Sequence, residues 1–431
     1  MLEERAQRLL TELIRFKTVN PPGAERPAQE HLARFLAEAG VECELAGAEP
    51  ERPNLVARLE GSAPGPTLCY LGHIDTVLAD PAEWERDPFG GELVDGFIWG
   101  RGAIDMKSQV AAEAAAVAAL AREGWRPAHG TLVLACVVDE ETGGELGAQW
   151  LTRERPDLVR CDLLINEGAG EVFTFEGRRY YGIACAEKGV YRFALTTHGR
   201  AAHASLPALG DNALIKIAPV LEAFGRNPQV PFLCPQSSRL IELLGGDPNR
   251  PQQLVERLRA EDPRLAAVFE PLFGITFAPT RITASEKINV IPSRCELKVD
   301  CRVPPGAQEA EVREAVAGVL AGVGEYELQF TEATPANGSP IEGRLWEAIA
   351  GWLGREDPEA QVVPLMLSGF SDSHHFRAAF PECIAYGFFP QRHQTMLDTQ
   401  PLMHAPNERI DVRDLGWAAR CYRDLAVALL G

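Results

Sequence analysis

The sequence predicts an α/β fold, in which a mixed, mainly parallel sheet flanked by helices is interrupted by a smaller α+β domain. Two observations predict it. Short, nearly continuous apolar runs alternate with helical patterns before residue 166 and again after residue 304, as in parallel strands covered on both faces. Between residues 188 and 303, apolar and polar residues alternate, as in strands with one exposed face. We therefore predict a main domain over 1–187 and 304–431 and an inserted domain over 188–303.

The first part of the chain supplies two helices, four strands and a third helix. Apolar residues spaced by three or four predict helices over 2–17 and 27–39, the first ended by the turn-forming run 19–23. Apolar runs predict strands over 55–59, 67–71, 131–138 and 163–165. An Ala-rich helix over 106–123 ends at Gly124, which suits a C-terminal cap.

The inserted domain shows a different pattern. Around Tyr191, Phe193 and Leu195, and again from Cys295 to Cys301, apolar and polar residues alternate, and each strand is expected to have one buried and one exposed face. A helix is expected over 212–224. The stretch 226–279 is rich in Pro and turn-forming residues and holds no motif that indicates its structure or function. The helix–strand alternation then resumes and ends in a helix over 412–430.

Composition and charge exclude several classes of partner. The 431 residues are 46% hydrophobic, so a large core is expected. The net charge of −19 would repel phosphate backbones and anionic membrane surfaces, so nucleic-acid and membrane partners are not expected. The chain opens on Met-Leu-Glu-Glu-Arg, unlike a basic secretory signal, and no run approaches the ~18 apolar residues of a membrane span. Ten cysteines without a C-x-x-C pair indicate reduced, mostly buried thiols and a cytoplasmic protein. Any metal must then be held by histidine and carboxylate.

Three of the predicted strands end abruptly in side chains that can bind a metal. The strand 67–71 is followed by Gly72-His73-Ile74-Asp75, the strand 131–138 by Asp139-Glu140-Glu141, and the strand 163–165 by Asn166-Glu167. In open parallel sheets, binding sites form at the carboxyl ends of the strands. These groups are therefore expected to converge although they lie far apart in the sequence.

Two further candidates precede helices: Asp105 lies before the Ala-rich helix, and His404 before the last helix. Taken singly, every candidate has an ordinary alternative. His73 and Asp75 could form a surface pair, Asp105 could cap its helix, and adjacent acids are usually a solvated turn. The metal hypothesis depends on the whole set lying at the ends of elements of one sheet.

The composition of this set suits two metal ions. Two divalent ions that share one carboxylate need two histidines and three acids. Those residues are His73, His404, Asp105, Glu141 and Glu167. Glu140 is left over, because it cannot readily ligate beside its neighbour, and it can carry a proton between water and a leaving amine. Asp75 can hydrogen-bond the other ring nitrogen of His73 and fix its tautomer.

Three motifs in the chain are Gly72-His73-Ile74-Asp75-Thr76-Val77, Gly100-Arg101-Gly102-Ala103-Ile104-Asp105-Met106-Lys107 and Asp139-Glu140-Glu141-Thr142-Gly143-Gly144. They resemble the signatures of one family, that of aminoacylases, carboxypeptidase S, acetylornithine deacetylases and succinyl-diaminopimelate desuccinylases, which are di-zinc metallopeptidases. Their order and spacing match over nearly the whole chain. The resemblance implies a zinc-peptidase-like catalytic domain interrupted by a ferredoxin-like domain that serves as a lid and in dimerisation.

The resemblance also implies a role for each site residue. Asp105 would bridge the two ions, Glu141 and His404 would complete one site, and His73 and Glu167 the other, with Glu140 as general base. His203 would stabilise the oxyanion, commonly across a dimer interface. The expected substrate contacts are Asn289, Arg302, Gly369 and Ser371. Without the resemblance, His203 reads as an exposed loop histidine, Asn289 as a turn residue, and Arg302 as the partner of Asp300.

The implied activity is metal-dependent hydrolysis of an amide or peptide bond next to a free carboxylate, in an N-acyl amino acid or a short peptide. Zinc is the expected metal, although the same ligands accept cobalt or manganese. Two alternatives stay open: a di-zinc aminopeptidase that recognises a free amino terminus, and a binding homologue without activity. Glu167 is followed by Gly168-Ala169, whereas deacetylases and desuccinylases usually have Glu-Pro-Thr here. This run resembles the aminoacylase and carboxypeptidase S branch more closely.

Overall fold

The computed structural model describes residues 1–431, and the chain divides into two compact units. The first unit comprises 1–185, 338–365 and 371–431, and the second comprises 186–337 and 366–370. None of the helices combines the length and the apolar character needed to cross a membrane. All ten cysteines are unpaired and nine are buried, which confirms the prediction of buried thiols.

The helices and strands follow one another in this order. Up to residue 187 they are α1 Leu2–Ile14, α2 Arg26–Ala37, β1 Cys43–Ala46, β2 Asn54–Glu60, β3 Ala63–His73, β4 Glu92–Val94, β5 Phe97–Trp99, α3 Lys107–Arg122, β6 His129–Val137, α4 Ala148–Glu154, α5 Pro156–Val159, β7 Leu163–Asn166, β8 Glu171–Phe175 and β9 Arg178–Glu187. Up to residue 338 they are β10 Gly189–Val190, β11 Phe193–His198, β12 Ala202–His203, α6 Ala213–Lys216, α7 Ala218–Arg226, β13 Gln229–Pro231, α8 Pro235–Leu243, α9 Pro251–Glu261, α10 Pro263–Phe269, β14 Gly274–Thr283, β15 Val290–Ile291, β16 Arg294–Val303, α11 Glu309–Val319, β17 Glu327–Phe330 and β18 Asn337–Gly338. The rest are α12 Arg344–Glu356, β19 Gln361–Leu367, α13 Ser373–Ala379, β20 Ile384–Gly387, β21 Gln391–Thr395, α14 Met396–Thr399, β22 Arg409–Asp411 and α15 Val412–Leu430.

The first unit is built on a mixed sheet with a parallel centre. The strand order is β1-β2-β6-β3-β7-β20-β9-β8-β21, with β18 and β19 beside β9. Strands β6, β3, β7 and β20 run parallel, whereas β1, β2 and β9 add antiparallel pairs at the sides. The predicted fold class, a mixed and mainly parallel sheet flanked by helices, is confirmed.

Alternate residues of the central strands enter two different cores. On β3, Leu68 and Tyr70 pack with α1, α3 and α15, whereas Cys69 and Leu71 pack with α4 and α13 on the other face. Burial on both faces explains why these strands read as continuous apolar runs. Helix α3 packs against both α1 and α15 with 13 of its 16 residues buried, and its many alanines allow close helix packing.

The second unit contains an antiparallel sheet in the order β13-β14-β16-β11-β17. Its core joins apolar side chains of the sheet to those of α7 and α11. Leaving the edge strand β13 aside, β11, β14, β16 and β17 follow one another along the chain with helices after the first and the third. Strand β16 has the predicted alternation, with odd-numbered positions from Cys295 to Val303 buried.

One expectation for this unit is wrong, and a stretch without a usable motif turns out to hold helices. Strand β11 is buried on both faces up to Thr197, because it lies between β16 and β17 and Arg294 reaches over to Thr196 with a hydrogen bond of 3.2 Å. The stretch 226–279 holds three helices, α8 to α10, each with a proline as its first residue. Proline is favoured there because the first helical N–H lacks a helical acceptor anyway. Three of the prolines in this Pro-rich stretch therefore lie at the first positions of helices.

Candidate metal centre

The parallel strand order brings the polar strand ends of the first unit together. His73 is the last residue of β3, Glu167 follows β7, and Glu140 and Glu141 lie in a short turn after β6. Since β3 is hydrogen-bonded to both β6 and β7, these carboxyl ends are neighbours at one edge of the sheet. The turn begins at Asp139, whose φ of 72° is in the left-handed region.

The first candidate ligand group consists of His73, Asp105 and Glu167. The Nε2 atom of His73 lies 3.1 Å from Oδ1 of Asp105 and 3.8 Å from Oε2 of Glu167. The imidazole is almost completely buried, with 1% of the side chain exposed. One imidazole nitrogen and two carboxylates thus face a common point inside the protein.

The second candidate group consists of Asp105, Glu141 and His404. The Nε2 atom of His404 lies 3.0 Å from Oδ2 of Asp105 and 3.3 Å from Oε2 of Glu141. Asp105 belongs to both groups, and each of its oxygens faces a different imidazole. This arrangement fits two ions that share one bridging carboxylate, as the sequence predicted from the composition of the set.

The electrostatics of the cluster fit cations as well. Burial alone would lower the pKa of His73, but the nearby carboxylates of Asp105, Asp75 and Glu167 outweigh it and raise this pKa well above its ordinary value. Hydrogen bonds to Asp105 and Glu141 raise the pKa of His404 to about 10. These shifts arise because four carboxylates surround two imidazoles, and divalent cations would neutralise this surplus of negative charge.

Glu140 lies beside the first group but belongs to neither. Its Oε2 atom is 3.9 Å from Nε2 of His73, and 12% of its side chain is exposed. Burial, followed by repulsion from Glu167, raises the pKa of Glu140 well above its ordinary value. Glu140 is thus a largely buried carboxyl group next to the candidate ligands, at a position suited to proton transfer.

Asp75 organises the surroundings of the first group. The Nδ1 atom of His73 is 3.1 Å from the backbone carbonyl of Asp75 and 3.5 Å from its carboxylate, so the carbonyl is the nearer acceptor. The carboxylate of Asp75 accepts the backbone N–H groups of Glu140 and Glu141 at 3.3 and 3.2 Å. It also accepts a hydrogen bond of 2.9 Å from the Asn20 amide. Asp75 therefore fixes the turn that carries Glu140 and Glu141.

The other predicted site residues lie elsewhere in the chain. His203, Asn289, Arg302 and Gly369 belong to the second unit, and Ser371, which is buried, belongs to the first. His203 is exposed on β12 and its Nδ1 hydrogen-bonds Ser205 Oγ at 2.8 Å. Arg302 donates a hydrogen bond of 2.8 Å to Asp300. This is the ion pair that the sequence suggested as the alternative to a substrate contact. The roles of these residues stay predictions.

Sequence reasoning missed three residues that hold the site. Asn20 donates to Asp75, Asp139 and Thr142 at 2.9 to 3.1 Å, although the sequence indicated only a turn there. Glu408 and Arg101 form a buried ion pair of 2.6 Å behind Asp105. The only local signal was their position next to predicted ligands, in Gly100-Arg101 and in His404-Ala405-Pro406-Asn407-Glu408.

Comparison with known proteins identifies the family. The sequence profile of Peptidase family M20/M25/M40 matches residues 69–428. A succinyl-diaminopimelate desuccinylase from Cereibacter sphaeroides is 33% identical over 427 residues, which cover 94% of this chain and 94% of that protein. The M20 family metallo-carboxypeptidase Sso-CP2 from Sulfolobus solfataricus has a similar fold, with a TM-score of 0.72, 20% identity and coverage of 99% of both chains.

A further structure of similar fold is the YXEP protein of Bacillus subtilis, described as a dinuclear metal binding peptidase from the M20 family. Its TM-score is 0.60 at 17% identity, with 100% of this chain and 98% of that chain covered. The profile match extends over most of the chain and includes all five candidate ligands, and the resemblance inferred from the motifs is confirmed. The protein belongs to Peptidase family M20/M25/M40 and is a metallohydrolase.

Proposed function

We propose that the protein hydrolyses an amide or peptide bond next to a free carboxylate, in an N-acyl amino acid or a short peptide. The observation that supports this most directly is the arrangement around Asp105. Its two oxygens face the imidazoles of His73 and His404 at 3.1 and 3.0 Å, and a second carboxylate lies beside each imidazole. Glu140 lies next to this ligand set without belonging to it.

Each residue has a proposed role. His73 and Glu167 would hold one ion, Glu141 and His404 the other, and Asp105 would bridge them. Two bound divalent ions, zinc by expectation, would supply Lewis acidity that polarises a carbonyl and acidifies water. Glu140 would take the proton of the attacking water and pass it to the leaving amine. The carboxylate of Asp75 would hold Glu140 in place by accepting the backbone N–H of Glu140.

We further propose that His203 donates a hydrogen bond to the oxyanion. The substrate carboxylate would be bound by the guanidinium of Arg302, with Asn289, Gly369 and Ser371 as further contacts. Arg302 suits this role because its fork of donors matches a carboxylate. In the structure, the guanidinium already holds the carboxylate of Asp300 and keeps 26% of its side chain exposed. A substrate carboxylate would therefore add to this pair or replace it.

The test of the proposed function is a substrate panel with and without chelator. We expect hydrolysis of N-acetyl or N-succinyl amino acids or of dipeptides, lost with chelator and restored by zinc, cobalt or manganese. The matched control is the same substrate with its carboxylate converted to a carboxamide, which should be cleaved far more slowly because Arg302 loses its partner.

The outcomes of the panel separate the alternatives. Equal cleavage of amino-acid anilides, which lack the carboxylate, would favour an aminopeptidase and contradict the proposal. Inactivity on all substrates in protein shown to hold two ions would mean that the substrate class is wrong. The panel also decides the branch: the relative reported above is a desuccinylase, whereas the run Glu167-Gly168-Ala169 resembles the aminoacylase branch.

We also propose that the chain carries a ferredoxin-like insertion through which two copies associate. The insertion was expected over 188–303, and the sheet of the second unit continues beyond it to β17. The spatial order β17-β11-β16-β14, with helices after the first and third strands along the chain, is the order of such domains. Eight of the twelve large exposed hydrophobic residues of the chain lie in this unit. They are Leu206, Leu209, Leu214, Ile215, Leu221, Ile282, Ile288 and Val290. Exposed apolar residues concentrated in this way indicate an interaction surface.

If His203 acts across this interface, two inactive variants should complement each other. Mixed subunits of His203→Ala and Glu140→Gln are expected to recover up to about one quarter of wild-type activity, since half of random dimers are mixed and each has one complete site. Light scattering checks that dimers form, and each variant mixed with itself is the control. Mixed dimers without activity would place His203 in its own subunit's site.

A further inference from the structure

We propose that Glu408 and Arg101 are positioning residues that set the affinity of one of the two metal ions. The ion concerned is the one assigned to Glu141 and His404, with Asp105 as the bridge. This inference rests on the ligand roles of the proposed function. Neither Glu408 nor Arg101 belongs to a candidate ligand group, and both act through the backbone that carries the ligands.

Glu408 shapes the loop that carries Asp105. Its side chain is fully buried, and its Oε1 accepts the backbone N–H groups of Ile104 and Asp105 at 2.6 and 3.0 Å. Its Oε2 accepts the N–H of Gly102 at 3.2 Å and a guanidinium N–H of Arg101 at 2.6 Å. One carboxylate thus receives four donors and defines the course of the loop up to the bridging ligand.

Arg101 connects this loop to the one that carries His404. Its Nη2 donates to the backbone carbonyl of Ala405, the residue after His404, at 3.2 Å, and to that of Leu78 at 3.3 Å. His404 has a φ of 57°, in the left-handed region that a residue with a side chain rarely adopts. Such a conformation persists only where neighbouring contacts hold it. The carbonyl of Ala405, held by Arg101, is one of these contacts.

The effect is expected to be specific to one ion. Asp105 and His404 both lie on loops held by the Glu408–Arg101 pair. Two of the three ligands of the ion assigned to Glu141 and His404 therefore depend on this pair. His73 ends a strand at the centre of the sheet, and Glu167 follows the neighbouring strand, so their positions are fixed by the sheet itself. The ion assigned to His73 and Glu167 therefore keeps two of its three ligands when the pair is broken.

Glu408→Gln is the most direct test. The variant keeps the size of the side chain, but one oxygen becomes an amide NH2 that cannot accept from the surrounding donors. We expect the chelated full-length variant, titrated with Co²⁺ or Zn²⁺ in a calorimeter, to bind one ion nearly as tightly as wild type does, because only the bridging ligand of that ion lies on a loop held by the pair. The second ion should bind roughly 10- to 100-fold more weakly, the usual effect of losing a residue that orients metal ligands. The visible absorption of the second cobalt equivalent should change as well.

The matched control is Asp357→Asn. Asp357 is also a buried carboxylate that holds an arginine, since it accepts from Arg179 and from the hydroxyl of Tyr181. It belongs to neither candidate ligand group and has no hydrogen bond to the loops of Asp105 and His404. The control should bind both ions with wild-type affinity, so a loss confined to Glu408→Gln reports the loops and not a general loss of stability.

Two results would overturn the inference. Wild-type affinity for both ions with an unchanged cobalt spectrum in Glu408→Gln would show that the pair does not position the ligands. If that variant does not fold, Arg101→Lys decides, because lysine keeps the charge beside Glu408 but cannot also hold Ala405 and Leu78. Wild-type affinity for both ions in Arg101→Lys would refute the role. A wild-type protein that binds no ion would instead refute the metal centre of the proposed function itself.

Discussion

Replacing Glu140 by glutamine is expected to lower kcat by roughly 10²- to 10⁴-fold while both ions stay bound. Glutamine has nearly the same shape as glutamate but cannot accept the proton of water. Glu140 belongs to neither candidate ligand group, so metal content should not change. A loss of this size corresponds to about 3 to 5 kcal/mol of transition-state stabilisation. The measurement is kcat on the best substrate of the panel, together with metal analysis of the same sample.

Glu145→Gln serves as the control for Glu140→Gln. It makes the same chemical change five residues further along, at an exposed position just beyond the turn, and turnover should stay at the wild-type level. Near-normal turnover in Glu140→Gln would remove Glu140 from the mechanism. A loss of one ion together with turnover would show that Glu140 is a ligand and not a base.

Replacing Asp105 by alanine is expected to abolish turnover through the loss of both ions. Asp105 is the residue common to the two candidate ligand groups, and each of its oxygens faces a different imidazole. Its removal takes a ligand from each ion and also the charge that lies between them. Glu167→Ala should weaken only one ion, because Glu167 belongs to one group. Metal analysis after dialysis and calorimetric titration measure both effects.

Asp157→Ala is the control for the loss of a carboxylate. Asp157 has 64% of its side chain exposed and pairs with Arg155 at the surface, so both ions and turnover should be retained. If Asp105→Ala kept one ion at wild-type affinity, Asp105 would not bridge. The two groups would then be independent sites, and the proposed mechanism with a shared carboxylate would have to be abandoned.

Much of the fold could be predicted because its signals are local. The helix over 412–430 was predicted with the bounds of α15, and the apolar runs before His73, Glu140 and Glu167 correspond to β3, β6 and β7. A strand buried on both faces is apolar throughout, whatever its neighbours are. The prediction failed where the burial of a strand depends on other parts of the chain. In β11, side chains of adjacent strands cover the face that was expected to be exposed. The prediction gave nothing for α8 to α10, because the prolines at the first positions of these helices belong to a stretch rich in Pro and turn-forming residues.

The residues that position the site could not be predicted, because their partners are distant in the sequence. Glu408 accepts from the backbone of Asp105 across 303 positions, and Asn20 donates to Asp75 across 55. A backbone N–H group belongs to every residue except proline, so it leaves no pattern of residue types in the sequence. Only the folded chain shows which buried carboxylate receives it.

The residue types of the candidate donor set can be read from the sequence alone: two histidines, three acids and one further glutamate, at the ends of predicted elements. Those are chemical properties of single side chains, and they are readable without coordinates. Only the folded chain shows that each oxygen of Asp105 faces a different imidazole and that Glu140 lies outside both candidate groups. Distances of this kind depend on the order β6-β3-β7 and on buried hydrogen bonds between distant loops. Both arise only when the chain packs.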